Sequence, residues 1–144
     1  MERERFYPGA NITDRAEDWT HNYRCPDVVV IFDESRIASL ESAIVGGPDL
    51  LVEVAYPGDR WPEKLEFYGT IGVRELLVID CGTKELELFR ACGGVLTSVG
   101  QSTSSTPIEL SSEVLPLTFK RLGESDRPQV GIHRNDGQQG EWIV

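Results

Sequence analysis

Short apolar runs separated by turn-forming residues extend along most of this chain. Residues 26–32 and 49–55 are the strongest of them, because valine, leucine and isoleucine occupy successive positions in each. Runs of this length and composition are typical of strands that are buried on both faces of a sheet. Residues 75–80 form a third run of the same kind. The pattern therefore predicts a sheet with three buried strands at its centre.

One segment has a helical pattern. Residues 62–72 begin with Pro62, which suits the first helical position, and carry Glu63 in the first turn, where a carboxylate complements the helix dipole. Leu65 and Tyr68 give the segment an apolar side, and Gly72 ends it. Because this helix lies between two predicted strands, it predicts a right-handed crossover that joins a parallel pair.

The remaining pattern is weaker and mostly extended. It predicts strands at residues 85–90, 95–99, within 108–122 and at 140–144. Residues 35–43 fit a helical turn or a loop, and residues 1–24 contain no long helical pattern. The chain has no internal repeat and no linker composition. We therefore predict one domain over residues 1–144, of mixed α/β class, rich in strand and with few helices.

A single acid, Glu53, interrupts the apolar run at residues 49–55. Burial of an unpaired carboxylate is costly, so an acid in such a strand needs a cation, a metal ion, a proton or a shell of hydrogen-bond donors. The strand pattern places Glu53 on the same side as Leu51 and Ala55. We therefore expect the chemistry of this chain to lie around Glu53.

Two other charged residues are expected to reach Glu53. If the runs at 26–32 and 49–55 pair antiparallel, Asp27 at the start of one lies beside Glu53 near the end of the other. Lys64, in the first turn of the predicted helix, has a long side chain that can reach the same place. Asp49 is four residues from Glu53, roughly 13 Å along a strand, which is too far to share a metal ion with it. We assign Asp49 to the turn after Pro48.

Two carboxylates and a lysine in one place suit phosphodiester hydrolysis. Paired carboxylates hold a hard cation such as Mg²⁺, or Mn²⁺ in its place, through oxygen. The metal ion and the lysine together can polarise a phosphodiester, stabilise its developing charge and activate a water molecule. Arg60, before the helix, can contact substrate or only close the turn, and Tyr68 is core with a hydroxyl that can reach the site. The alternative is structural: Asp27 caps a strand, and Glu53 and Lys64 form an ion pair.

Charge and composition narrow the function. The formal net charge is −10, which argues against a broad basic face for nucleic acid and against binding to an anionic membrane surface. A metal-dependent nuclease tolerates such acidity, because bound metal ions supply local positive charge. The charged first residues and the absence of a long apolar run argue against a signal peptide or a membrane helix. Three cysteines without a Cys-x-x-Cys pair favour a reducing cytoplasm.

Four blocks in a fixed order resemble a known family: YRCPDVVV at 23–30, GPDLLVEV at 47–54, EKLEFY at 63–68 and IGVRELLVID at 71–80. They resemble the Uma2 family of restriction endonucleases, which is similar in fold to the PD-(D/E)XK nucleases. The resemblance implies a central mixed sheet flanked by helices and a Mg²⁺-dependent DNA endonuclease site. It assigns metal binding to Asp27 and Glu53. Ala55 stands at the lysine position of the motif, and Lys64 on the following helix takes that role.

The N-terminal part departs from this family pattern, because members carry a longer helical segment before the first strand. A sheet face without such a helix would expose an apolar patch, and such patches mark interfaces. We therefore predict a homo-oligomer or a compromised enzyme. A non-catalytic interaction module that keeps the nuclease fold stays open as the second hypothesis, and an accessory protein of a toxin or transposon as a third.

Overall fold

The computed structural model describes residues 5–32 and 36–144, and these residues form three sheets and one short α-helix. The largest sheet has six strands, in the order β1 (Arg5–Pro8), β4 (Val28–Ile31), β7 (Leu50–Ala55), β8 (Glu75–Asp80), β9 (Leu86–Cys92) and β10 (Val95–Ser102). A second sheet contains β3 (Tyr23–Arg24), β2 (Ile12–Thr13), β6 (Ile44–Gly46) and β5 (Ile37–Ser39). The third contains β11 (Leu110–Ser111), β12 (Leu117–Glu124), β13 (Arg127–Arg134) and β14 (Glu141–Ile143).

The centre of the large sheet agrees with the sequence pattern. Strands β4 and β7 pair antiparallel, and β7 and β8 pair parallel. The crossover between β7 and β8 contains a 3-10 turn (Trp61–Glu63) and the helix α1 (Lys64–Thr70). Gly72, with a φ of +92°, lies in the left-handed region just after the helix, where glycine is favoured. The predicted strands, crossover and helix are therefore confirmed, and the fold is mixed α/β.

Both faces of the large sheet are covered. One face packs against α1 and the small N-terminal sheet, around the buried residues Ile12, Val29, Leu51, Tyr68, Leu76 and Phe89. The other face packs against the C-terminal sheet and the loop before β12, through Leu77, Leu88, Leu110, Leu115, Phe119 and Val130. The expected open face is wrong for the described part of the chain, because strands take the place of the missing helical cover. The homo-oligomer stays a prediction, which light scattering at micromolar concentration tests.

Two local predictions need correction. Part of residues 35–43 forms β5 rather than a helical turn or loop, because Ile37–Ser39 pairs antiparallel with β6. Residues 33–35, expected to end the first central strand, lie outside the described residues. Asp49 does lie in a bend before β7, yet it is fully buried, accepts a hydrogen bond from the Phe32 amide at 2.7 Å and pairs with Arg74 at 3.2 Å. Asp49 is therefore a buried, ion-paired carboxylate just before the start of β7, away from Glu53 near the other end of that strand.

Among residues 5–32 and 36–144, no helix combines the length and apolarity needed to cross a membrane.

Candidate functional site

Asp27 and Glu53 lie at the same end of the β4–β7 strand pair. The register ends at the Val28–Val52 pair, so Asp27 comes directly before the first residue of β4 and Glu53 directly after the partner of that residue on β7. The Asp27 amide donates to the Val52 carbonyl at 3.0 Å, and its carboxylate Oδ2 accepts from the Val54 amide at 2.7 Å. The antiparallel pairing therefore brings the two predicted carboxylates together at one end of the strand pair.

Glu53 is buried, with 3 % of its surface exposed, and three groups define its environment. The Tyr68 hydroxyl donates to Oε1 at 2.6 Å. The Lys64 ammonium lies 3.4 Å from both carboxylate oxygens. Asp27 acts on Glu53 as a nearby like charge. Glu53 thus has the hydrogen-bonding and cationic partners that an acid in a strand requires.

Burial has the largest effect on the pKa values of Glu53 and Tyr68. Desolvation raises the pKa of Glu53, and the negative charge of Asp27 adds to this, while the Tyr68 hydroxyl and the Lys64 ammonium oppose it. The pKa of Tyr68 is raised well above its ordinary range, first by burial and then by its hydrogen bond to Glu53 and the charge of that carboxylate. Tyr68 is therefore a fixed neutral donor, and Glu53 is the group whose charge can change.

The start of α1 positions Lys64. The 3-10 turn at Trp61–Glu63 leads directly into the helix, and Lys64 is its first residue. Tyr68 is one helical turn further on, so both side chains project from the same side of α1 toward β7. The Lys64 side chain keeps 25 % exposure, so its ammonium borders solvent as well as Glu53. Lys64 therefore lies beside Glu53, and a shared catalytic role of Asp27, Glu53 and Lys64 stays a prediction.

Arg60 has a different partner. Its guanidinium binds Glu63 through two nitrogens at 3.0 and 3.1 Å, and it is largely exposed. This pairing fits the turn-closing role that the sequence also allowed, and a contact with substrate stays a prediction. Tyr68, the other supporting residue, contacts Glu53 directly.

Arg24 is a cation near the site that the sequence interpretation gave no role. Its guanidinium carbon lies 4.6 Å from the centre of the Phe67 ring, a cation–π distance. Its positive charge lowers the pKa of Tyr68, against the larger effect of burial. Arg24 lies in β3, three residues before Asp27. Its position over α1 depends on the fold of the small N-terminal sheet, to which β3 belongs. In the sequence, the signal that could have suggested a role for Arg24 is its position in the block YRCPDVVV, which also contains Asp27.

The residues at this site suit a hard divalent cation that keeps much of its water. Asp27 and Glu53 are the two carboxylates, and Asp27 is exposed. The described residues contain no group of three or more His, Cys, Asp or Glu arranged to hold a metal ion. Mg²⁺ is commonly held by one or two carboxylates together with water and substrate phosphates. The two carboxylates therefore fit Mg²⁺. The Lys64 ammonium would compete with the metal ion for the carboxylate of Glu53.

One solved structure resembles this fold. It is described as the "crystal structure of a putative nuclease belonging to DUF820 from Anabaena variabilis", and it matches with a TM-score of 0.55 at 16% identity. The match covers 76% of this chain and 59% of the other, so this chain spans about three-fifths of that protein. At this identity the likeness supports the fold alone. No curated protein matches the chain.

A family model matches most of the sequence. The model is that of Uma2, described as "Putative restriction endonuclease", and the match extends over residues 2–121. It includes β1 to β11, α1 and the first part of β12, and thus every residue of the site described above. The chain belongs to the Uma2 family.

Proposed function

We propose that this protein is a Mg²⁺-dependent DNA endonuclease. The observation that carries the proposal is the position of Asp27 and Glu53 at the same end of the β4–β7 pair, where Asp27 acts on Glu53 as a like charge, with the Lys64 ammonium 3.4 Å from both oxygens of Glu53. The family description names a restriction endonuclease, and the similar structure is called a nuclease, so both support the same chemistry. The three free cysteines fit a reducing compartment, and we propose the cytoplasm.

Each residue of the site has a part in this chemistry. Asp27 and Glu53 hold the cation, and the Val54 amide and the Tyr68 hydroxyl fix the orientation of these carboxylates. Lys64, which borders solvent, stabilises negative charge on the phosphate or orients the attacking water. Bound Mg²⁺ would supply Lewis-acid polarisation of the phosphodiester. Arg24 adds a second positive charge on the side of Phe67.

A plasmid-nicking assay tests the proposal. Purified protein with Mg²⁺ should convert supercoiled DNA to the nicked form, and chelation should stop it. Glu53→Gln and Asp27→Asn keep one acceptor oxygen for Tyr68 and Val54, remove the negative charge and replace the second oxygen by an NH2 group, so each should lower the rate about 10²-fold or more. Glu66→Gln is the matched control, because Glu66 is an exposed acid on the same helix. Nicking that survives Glu53→Gln would contradict the assignment.

The second candidate is an interaction module that keeps the fold without catalysis. The observation in its favour is that Lys64 already neutralises Glu53, as a structural ion pair would. Calorimetry separates the two, because an endonuclease should bind Mg²⁺ or Mn²⁺ with an affinity that falls in Asp27→Asn. An interaction module should give no such Asp27-dependent heat. The two results exclude each other.

A further inference from the structure

A cavity of about 240 Å³ lies beside the site, on the same face of the large sheet. Its lining includes Ala55, Trp61, Val78, Glu87, Gln101 and Thr103. Pockets for drug-sized ligands measure ~300–1,000 Å³, so this one suits a smaller group. Nothing in the chemistry assigned to Asp27, Glu53 and Lys64 uses it.

Strand register connects the cavity to the site. Glu53 on β7 pairs with Val78 on β8, Val78 pairs with Glu87 on β9, and Glu87 pairs with Gln101 on β10. Paired residues lie on one face, so a single row crosses the sheet from the carboxylates to the cavity. Glu87 is two strand spacings from Glu53, or ~10 Å. A group held in the cavity would therefore be a neighbour of a phosphate held at the site.

The cavity combines an aromatic wall, an apolar floor and polar groups that are free to bind. Trp61 is held edge-to-face against Phe89, with ring centres 5.7 Å apart, and Ala55 and Val78 are buried. In the described part of the chain, the side chains of Glu87 and Gln101 have no hydrogen-bond partner. By contrast, two other lining carboxylates are already occupied: Asp80 accepts two backbone amides of its own turn at 2.8 and 2.9 Å, and Glu85 accepts the Ser104 amide at 3.2 Å. Glu87 and Gln101 are thus available to a ligand.

We propose that this cavity binds one nucleobase of the substrate strand, next to the phosphodiester at the site. The base packs against Trp61, Glu87 accepts from its exocyclic amino group, and Gln101 contacts a second polar edge atom. Because ionised glutamate only accepts hydrogen bonds, the pocket prefers a base with an amino group at the position facing Glu87, such as cytosine, over thymine, which has a carbonyl oxygen there. The inference rests on the proposed endonuclease function, since it names part of the substrate.

The lining distinguishes a base from other ligands. A carboxylate repels a phosphate, so Glu87 disfavours the backbone itself in the cavity. A hard cation prefers oxygen ligands on all sides, whereas Trp61, Ala55 and Val78 provide aromatic and aliphatic surface. The lining carboxylates of Asp80 and Glu85 are bound to backbone amides, and the described residues contain no group of three or more acids, histidines or cysteines arranged to hold a metal ion. Base–aromatic stacking is commonly worth enough to order a base without sequence contacts. The size of the cavity, its aromatic wall and its acceptor-rich edge together point to a nucleobase.

Uncharged nucleosides test the pocket without cleavage or metal. The indole N–H signal of Trp61, identified by its loss in Trp61→Phe, is followed by NMR during titration with deoxycytidine and with thymidine. Deoxycytidine should shift this signal and bind about fivefold more tightly than thymidine, the value of one net hydrogen bond. Glu87→Gln, whose amide can also donate to a thymine carbonyl, should bring the ratio close to one. Glu124→Gln, an exposed acid at the end of β12, should leave the ratio unchanged.

Several outcomes would overturn the inference: no shift of the Trp61 signal with either nucleoside, equal affinity for both, or an unchanged ratio in Glu87→Gln. Both variants should fold. Trp61 packs against the core, and Trp61→Phe keeps an aromatic ring against Phe89. Glu87→Gln alters a side chain that has no hydrogen-bond partner among the described residues. Nicking activity is measured on the same samples. Intact nicking without nucleoside binding would reject the pocket alone, whereas nucleoside selectivity without nicking would reject the endonuclease function.

Discussion

Glu53 is held where its charged form is unfavourable, and this should lower the stability of the protein. Burial raises its pKa despite the Tyr68 hydroxyl and the Lys64 ammonium. Below the ordinary glutamate pKa of about 4.3 the side chain is neutral in both folded and unfolded chains. As the pH rises through the higher folded-state pKa, the unfolded chain gives up its proton more readily, and stability falls. The loss is complete once the pH is above the folded-state pKa.

We therefore expect Glu53→Gln to stabilise the metal-free protein at neutral pH. The introduced glutamine keeps an acceptor for Tyr68 and carries no charge to desolvate. A gain of about 1 kcal/mol would raise Tm by about 4 °C for a chain of this size. Thermal unfolding in chelator at pH 7 and near pH 4 measures it, and the difference between variant and parent should vanish at the lower pH. A lower Tm than the parent at pH 7, with Glu66→Gln unchanged, would contradict this account.

Tyr68 should act on the reaction through Glu53. Its hydroxyl donates to Oε1 at 2.6 Å and lowers the pKa of that carboxyl, so Tyr68→Phe should raise the Glu53 pKa further. The acid limb of the nicking rate should then move to higher pH, while the rate at the alkaline plateau stays near that of the parent. The variant should cost about 1–2 kcal/mol of stability. A pH profile that only falls in height would mean that Tyr68 merely supports packing.

The sequence predicted the residues whose position depends on one strand pair and one helix. Asp27 and Glu53 follow from antiparallel pairing and side-chain alternation, and Lys64 follows from a helix that starts after β7. Glu87 and Gln101 could not be predicted in the same way. Their place in the row depends on the registers of β9 and β10, and β10 contains an irregularity between Ser98 and Gly100. Alternation along a strand predicts the face of the sheet on which a side chain lies. It does not predict which residues of other strands lie beside that side chain.

At the scale of elements, Gly47 controls how β7 meets the end of α1. A Cβ built on Gly47 would lie 2.2 Å from the backbone carbonyl carbon of Gly72 and 2.4 Å from the Val73 nitrogen. The two backbones touch where the strand carrying Glu53 begins and where the crossover to β8 ends. Neither backbone can move alone, because Asp49 and Val73 on either side are buried.

Gly47→Ala should therefore destabilise the protein severely, by about 3 kcal/mol or more, in the range of exceptional single substitutions. Chemical denaturation measures the change. Gly82→Ala is the matched control, since its Cβ would meet only the Asp80 carboxylate at an ordinary 3.5 Å. It should change the free energy of unfolding by less than about 1 kcal/mol. Equal stabilities for the two variants would mean that the crossover can shift to admit the methyl group.

Elements were predictable where burial is continuous and were missed where it is not. Strands β4, β7 and β8 are apolar on both faces, and their composition alone identifies them. Strand β5 has the exposed positions Ala38 and Ser39, and its extended form results from pairing with β6. Such short strands bury little surface of their own, so local sequence carries a weak signal for them.

For the whole molecule, the C-terminal sheet substitutes for helices as cover of the large sheet. A buried polar network joins them: Glu75 on β8 binds Arg90 on β9 at 2.9 Å, the Ser112 hydroxyl at 2.5 Å and the Glu113 amide at 3.0 Å. The family match ends at residue 121, within β12. The sequence predicted strands in this region, but their packing across the sheet depends on contacts far apart in the chain.

Net charge sets how the molecule should meet DNA. With a formal charge of −10, long-range repulsion opposes binding, and attraction must come from a few cations near the site: Lys64, Arg24 and Arg60. Each phosphate neutralised on duplex DNA contributes a slope of about −0.9 to the dependence of log affinity on log salt. Three contacts give a slope no steeper than about −3, because salt also screens the repulsion. Fluorescence anisotropy with Glu53→Gln protein and labelled duplex measures it.

Arg24→Ala should remove one phosphate contact and make this slope shallower by the amount that one contact contributes. Arg127→Ala changes a residue of the C-terminal sheet, far along the chain from the site, and should leave the slope unchanged. The reason is local: Arg24 is oriented by the face of Phe67 and lies near Tyr68, whereas Arg127 begins β13. A slope steeper than about −6 would require an extended basic face. Such a result, or an unchanged slope in Arg24→Ala, would mean that DNA approaches a surface other than the one that carries Lys64 and Arg24.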